Sequence, residues 1–428
     1  MRRRLRVVHF SGRDTDGANK AAYQIHASLI RAGVDSVMLV GRKETSDKRV
    51  VEVSNLWVKL KYGLGKKRSL GALIYWLDQE YRKRILNEIP LPFSFNWNQS
   101  GVDVELIKKY LVDVDLVFLH WIDGFLSSKD IQKIHQTTQA PIVWTLMDLE
   151  PLTGGYHYET DVKEWLKCAD KVMVRRFKKI LNENIKYKKR HLAGLPINWV
   201  APTEWLYQKV RGNNLFEKRM AIKILLAVDT KKYRPMNKQR CRRRMKMKND
   251  DLVIFFGARN LSERRKGAKE INEVLLRLEK LVRKRADLAK NILLVSAGDK
   301  LKLATQKFRH KHLGAVDERV LATVYNACDV FWCPSIEDGG PMMVNEAVAC
   351  GARVVMYDMG VARDLMDKKD KRVSVPLGKQ KKMAQELMMM LETKNDRRRN
   401  IDPRLKPERQ AQEYIKLLRK LIREKNEE

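Results

Sequence analysis

Residues Pro334–Asp364 read PSIEDGGPMMVNEAVACGARVVMYDMGVARD, and this stretch decides the fold. Just before it, Asp329-Val330-Phe331-Trp332-Cys333 predicts a short buried strand. Glu337, Asp338, Gly339, Gly340 and Pro341 predict a turn, MMVNEAVAC a helix ended by Gly351, and RVVMY the next strand. A glycine-rich turn at a helix start exposes backbone N–H groups, and these favour an anion, a diphosphate in particular. Asp338 lies at that mouth, and Glu346 follows eight residues later, about two helical turns on. A carboxylate pair around such amides suits a sugar nucleotide. One acid accepts from hexose hydroxyls and the other from ribose hydroxyls, while the amides hold the phosphates.

Upstream, the same strand–loop–helix logic recurs. Asp251–Gly257 (DLVIFFG) predicts a strand, ARNLSERRKG a loop, and a long helix starts at Ala268. The loop holds Arg259, Arg264, Arg265 and Lys266 before Gly267. Cations at a strand end beside a helix start suit a diphosphate, whereas a solvated basic loop is the plainer reading of the same charges. Asn291–Ala297 with Gly298 predicts another strand and turn, and His312-Leu313-Gly314 precedes a helix over Glu318–Ala327. Lys379–Leu391 reads as helix, 395–403 as a polar linker, and Glu408–Lys425 as a basic amphipathic helix.

The N-terminal half opens as strand, helix, strand: Leu5–Phe10, then AAYQIHASLIRAG closed by Gly33, then Asp35–Gly41. SGRDTDGAN between the first two reads as a polar turn, with Gly17 at the helix start. Neither half contains GxGxxG, which argues against a dinucleotide-dependent dehydrogenase. Leu56–Leu77 mixes aromatics, leucines and lysines, so it reads either as a membrane-surface element or as a helix packed on the sheet. Val114–His120 predicts a buried strand, Ser127–Thr137 a helix and Ala140–Leu146 a second strand. A loop with Asp148, Thr153, Gly154, Gly155 and His157 follows. Ligands of open α/β sheets bind beyond the carboxyl ends of the strands, which makes His120 and Asp148 candidates. Asp113-Val114-Asp115 spells a metal-binding DxD, but it precedes a buried strand rather than following one, so no metal is assigned there.

The chain has 428 residues, 44% hydrophobic and 32% charged, enough for two domains with sizeable cores. A net charge of +35 predicts attraction to anionic lipid, glycan or nucleic acid, or simply a solvated basic surface. No zinc or RNP-type nucleic-acid signature accompanies it. The five cysteines form no CxxC pair, which suits a reducing compartment. No apolar run reaches spanning length, so a cytoplasmic protein is expected, soluble or peripheral at the inner face of the membrane.

Pro334-Ser335, Asp338, Glu346-Ala347 and Cys350-Gly351 resemble the signature of retaining GT-B glycosyltransferases, close to glycosyltransferase family 4. The first acid is usually Glu; Asp338 departs from this, and Glu337 is the alternative by a one-residue shift. HWIDGF, PIVWTLMD and PLTGGYHY resemble one subgroup of that family, with Met147 in place of its usual His. The family's interdomain Pro-Asn-Gly is replaced here by Leu225-Leu226-Ala227 before Val228-Asp229. The resemblance implies a GT-B α/β fold, two Rossmann-like domains facing across a cleft. Residues 1–215 would form the acceptor domain and 216–403 the nucleotide-sugar-binding domain, with a C-terminal helix over 404–428 packing back on the first.

It further implies sugar transfer with retention from a UDP- or GDP-linked donor, as substrate, to a glycan or lipid-linked acceptor. No cofactor and no metal are implied. His120, Arg259, Lys266 and Asp338 would take catalytic roles, with Arg265 competing for the place of Arg259. The donor would be held by Gly17, Arg265, Gly298, Gly314, Glu337, Gly339, Gly340, Pro341, Met342, Met343 and Glu346. Asp148, Thr153, Gly154 and Gly155 would lie on the acceptor side. The alternative is a non-catalytic basic module of the same fold that binds anionic glycan or nucleic acid.

Overall fold

A computed structural model describes residues 4–53, 91–213, 215, 220–283, 285–367, 369, 371–393 and 400–427. Residues 56–77, read either as a membrane-surface element or as a helix packed on the sheet, lie outside them. The chain divides into two compact units. One comprises Met1–Pro202, Leu206–Ile224 and Gln410–Glu428, the other Thr203–Trp205 and Leu225–Arg409.

The first unit is built on seven parallel strands in the order β3-β2-β1-β4-β5-β6-β7. These are β1 (Arg6–Arg13), β2 (Asp35–Arg42), β3 (Val50–Glu52), β4 (Leu116–Leu119), β5 (Ile142–Thr145), β6 (Ile197–Ala201) and β7 (Ala221–Lys223). Its helices include α1 (Gly17–Arg31), α2 (Ser128–Thr138), α3 (Glu159–Cys168) and α4 (Lys171–Leu192), and α5 (Glu204–Arg211) starts at its border. β4 and β5 are buried throughout because both sheet faces are covered, and Thr145 is their one polar residue. Trp144 and Trp199 stack at 5.4 Å in this core.

One expectation changes here. Ser11–Arg13, expected as part of a turn because Ser and Gly interrupt the apolar pattern, continues β1, and Arg13 still pairs with Arg42. Between α3 and α4 the chain breaks at Ala169. Asp170 caps the N–H groups of Val172 and Met173 and so starts α4 afresh.

The second unit has six parallel strands in the order β10-β9-β8-β11-β12-β13. These are β8 (Leu252–Ala258), β9 (Ile292–Gly298), β10 (Arg309–His312), β11 (Val330–Cys333), β12 (Val354–Tyr357) and β13 (Arg372–Val375). The helices that matter below are α6 (Lys238–Arg244), α7 (Ala268–Val282), α8 (Glu318–Ala327), α9 (Met342–Ala349), α10 (Gln380–Glu392) and α11 (Pro407–Glu427). From Gln410 on, α11 packs with the first unit. There Tyr414 meets the Phe118 ring edge-on at 5.5 Å and its hydroxyl lies 3.1 Å from that of Thr145.

Part of the basic charge is internal, in the run Arg242-Arg243-Arg244 on α6. Arg242 is buried and donates to the Ala327 carbonyl at 3.1 Å and to Asp329 at 2.7 Å. Asp329 also accepts from the Val253 N–H at 2.6 Å, so one ion pair fixes the starts of β8 and β11 together. Leu225, Leu226 and Ala227 are buried as well, and the Asn345 amide on α9 donates to the Leu226 carbonyl at 2.9 Å.

Candidate functional site

In both sheets the strand order reverses once, between β8 and β11 in the second unit and between β1 and β4 in the first. Open α/β sheets bind ligands at such switch points, beyond the carboxyl ends of the strands. The loops after β8 and β11 are the cationic loop and the turn that begins at Pro334.

Gly267 brings these loops into backbone contact. It closes the cationic loop at φ 79°, and a Cβ there would sit 2.0 Å from the Pro334 carbonyl oxygen, so no larger residue fits. The Ile336 N–H donates to the Arg265 carbonyl at 2.8 Å and reinforces the contact. Lys266 Nζ thereby reaches Asp338 Oδ2 at 2.7 Å, and an Arg265 nitrogen reaches the same oxygen at 3.2 Å. Burial opposes a charge on Asp338, but Lys266 and Arg265 outweigh it and hold the carboxyl below its usual range. Its other oxygen accepts from the Gly340 N–H at 3.1 Å. One amide of the expected cradle is therefore turned onto Asp338 itself.

The neighbouring candidates divide by role. Arg264 forms a two-point pair with Glu270 at 2.7 and 2.6 Å, which anchors the loop to α7. Arg259 stands exposed just beyond β8, and Glu337 is buried beside Asp338. The Gly339 carbonyl accepts from the Thr203 hydroxyl at 2.9 Å. Helices α7 and α9 begin at Gly267 and Pro341 without a side-chain cap, whereas Asp317 caps α8. Side chains therefore leave the first-turn N–H groups of α7 and α9 open to an anion. Met342 and Met343 start α9 half-buried.

Glu346, deeper along α9, is buried. The Tyr325 hydroxyl donates to it from 3.4 Å, and the Tyr233 hydroxyl bonds it too. Burial and the Glu346 carboxylate push both phenols far up, so both remain donors. Sequence reading missed these two tyrosines, which lie far from Glu346 along the chain and look like ordinary core residues. Gly298 ends β9 at φ 91°, with a would-be Cβ only 1.9 Å from the Ala258 carbonyl oxygen; its N–H donates to Gly314 at 2.8 Å. The ends of β8, β9 and β10 thus converge.

The first unit has its own polar cluster. His120 lies just past β4, its Nε2 2.9 Å from His9 Nδ1, and the two rings stack at 5.2 Å. Burial first and then His26 push His120 down to about 3; burial also lowers His9 strongly. At neutral pH two uncharged imidazoles share one proton, and the buried Nδ1 of His120 has no partner among the described residues. Gly17 opens α1 at φ 44° with space around it.

Asp148 accepts from Trp121 Nε1 at 3.1 Å, from the Glu150 N–H at 2.9 Å and from His157 at 2.7 Å. His157 reaches Asp123 on its other side at 3.3 Å. Burial disfavours an imidazolium there, but Asp148 and Asp123 together raise His157 well above the usual value. Thr153, Gly154 and Gly155 form a turn fastened by α4. Lys188 donates to Glu150 at 2.6 Å and to the Thr153 carbonyl at 2.9 Å, and Asn184 donates to the Gly154 carbonyl at 2.9 Å. Asp123 was not singled out from sequence; its signal was the HWID string at the end of β4.

Residues 237–393 match the family model described as glycosyl transferases group 1. The match covers a little over a third of the chain. It runs from α6 to the end of α10 and contains Lys266, Asp338 and Glu346. Solved structures similar over nearly the whole chain include sucrose-phosphate synthase from Thermosynechococcus elongatus. It is 14% identical, covers 99% of this chain and 98% of that one, and gives a TM-score of 0.57. HepE from Anabaena in complex with UDP-glucose is 13% identical, with 98% of each chain covered and a TM-score of 0.59. The trehalose 6-phosphate synthase of Burkholderia multivorans is 12% identical, with 98% of this chain and 97% of that one covered and a TM-score of 0.56. No curated protein sequence matches the chain. At such identities the likeness concerns the fold, a GT-B architecture of two Rossmann-like units.

Proposed function

We propose that the protein is a retaining glycosyltransferase that moves a sugar from a UDP- or GDP-linked donor to a hydroxyl of a glycan or lipid-linked saccharide. The second unit would bind the donor and the first the acceptor. The observation that supports this most is the Lys266–Asp338 contact across a switch point flanked by two uncapped helix starts. Negative charge grows on the leaving diphosphate as the glycosidic bond breaks. Preorganised cations and amides aimed at that charge lower the barrier. Lys266 and Arg265 or Arg259 would supply the cations, and the Gly339 and Met342 N–H groups the amides, so that side chains rather than a metal ion meet the charge.

Asp338 holds Lys266 and Arg265 in place before the diphosphate arrives. Once their charge is shared with phosphate oxygens, its carboxylate is released to accept from the donor sugar. Glu346, fixed by Tyr233 and Tyr325, would take the ribose hydroxyls.

Association with the inner face of the membrane is part of this proposal. Lys171, Arg175, Arg176, Lys178, Lys179 and Lys186 are exposed along α4, which suits an anionic lipid surface. No helix among the described residues is long and apolar enough to cross a membrane.

Calorimetric titration with UDP and GDP tests the donor reading. One of the two should bind, and Glu346→Ala should weaken it by roughly tenfold or more, the loss expected for hydrogen bonds to a charged group. Binding of neither nucleotide, with salt-sensitive retention on heparin, would instead make the chain a basic binding module.

A further inference from the structure

We propose that Trp121 and Asp123, at the carboxyl end of β4, form a subsite for an uncharged pyranose. This assignment rests on the acceptor reading above and gives that acceptor a chemical class.

The subsite stands at the switch point of the first unit, between the loops that leave β1 and β4. Trp121 is fixed on two sides. Its carbonyl accepts from the Gly12 N–H at 2.7 Å, and its indole Nε1 donates to Asp148 at 3.1 Å. The ring also packs with His157, centroids 5.8 Å apart, and lies close to Gly12, yet the residue stays partly exposed. Asp123 closes a row of charges that runs inward through His157 to Asp148. Its side chain is 18% exposed, against 4% for His157 and 6% for Asp148.

Burying such a row is unfavourable unless each member is satisfied, and the inner two are. The outer one is not. Asp123 gives Oδ2 to His157, and its Oδ1 has no partner among the described residues. A held carboxylate with one free oxygen beside a half-open indole suits a sugar ring. The indole takes the C–H face of the pyranose, and the oxygen accepts from a hydroxyl on its rim.

The local charge narrows the class. Two carboxylates and one imidazolium sum to a single negative charge, because the nearby Glu150 is paired with Lys188 at 2.6 Å. In a chain of net charge +35, this spot therefore disfavours a uronate or a phosphosugar. A purely structural role, clamping the loop after β4 to the loop after β5, would use the same contacts inside the row but leave Oδ1 and the indole face unused.

Saturation-transfer NMR on the full chain separates these roles. The probes are the methyl pyranosides of glucose, galactose and mannose, with methyl glucuronide and glucose 6-phosphate as anionic controls. At least one neutral glycoside should receive saturation, strongest at ring C–H protons, and the anionic sugars none. Asp123→Asn, nearly isosteric, should weaken the response by about tenfold. Trp121→Phe should reduce it and Trp121→Ala abolish it. The assignment is overturned if no neutral glycoside responds, if the anionic sugars respond as well, or if Asp123→Asn leaves the response unchanged. UDP and GDP calorimetry on the same samples keeps the two readings apart. Nucleotide binding without sugar contact removes only the subsite. Sugar contact without nucleotide binding keeps the subsite and removes the donor reading.

Discussion

The switch point of the second unit is furnished with lysine, arginine and aspartate, that of the first with histidine and tryptophan. Lys266 and Arg265 hold Asp338 below the usual carboxylate value, so it stays ionised across the physiological range. His9, His26 and His120 are kept neutral by burial, while His157 is kept charged by two carboxylates. One sheet topology thus carries an ion-paired cluster in one unit, proposed above to meet phosphate, and a cluster of neutral and charged imidazoles in the other. The difference lies wholly in the side chains at the strand ends.

The sharpest way to break this comparison is at the cationic loop. Lys266→Ala should lower turnover by roughly two orders of magnitude, the usual cost of one charge-stabilising donor. Arg264→Ala, two residues away, should leave turnover nearly intact and lower the melting temperature instead, because Arg264 serves Glu270. Near-normal turnover of the Lys266 variant in a donor-consumption assay would falsify the role given to that lysine.

A smaller effect is expected at Gly298. Alanine there would need a left-handed backbone and a Cβ overlapping the Ala258 carbonyl. A cost of at least about 2 kcal/mol follows, some 4 °C or more in melting temperature. An unchanged melting curve would mean that β8 and β9 part more easily than their close approach indicates.

The mildest test is the dependence of stability on pH. The folded-state values of His26 and His120 are depressed to about 4 and about 3. Their contribution is present above the unfolded value, near 6.5, and is lost as the pH falls towards those folded values. His157 has the opposite sign. Its contribution is complete below about 6.5 and fades as the pH rises through its elevated folded value. Melting temperatures measured from pH 4 to 9 should therefore fall on both sides. His157→Gln should remove the alkaline decline and spare the acid one; an unaltered alkaline limb would assign that decline to other groups.

Legibility from sequence followed contiguity. β8, β9, β11 and β12 are readable because strands buried on both faces are near-continuous apolar runs, with Ser296 in β9 the exception. β10, RHKH at a sheet edge, and the short β7 and β13 lack that pattern and were missed. Lys266 and Asp338 were both picked from short local motifs, and the folded chain places their side chains 2.7 Å apart. Tyr233, Tyr325 and the Asp123–His157–Asp148 row were not readable as units. Their meaning arises from pairings between distant segments, and each residue alone resembles a core or loop residue. The same applies to Arg242, whose neighbours in a basic run gave no sign that it is internal.

Asn345 precedes Glu346 on α9, and its side chain grips the carbonyl of Leu226. At Leu225-Leu226-Ala227, where the family resemblance leads one to expect Pro-Asn-Gly, this chain has a clasp. Any tug on the polypeptide arriving at Leu226 is therefore felt one residue from the acid proposed to hold the ribose. The posture of that stretch and the grip on a nucleotide should vary as a single quantity.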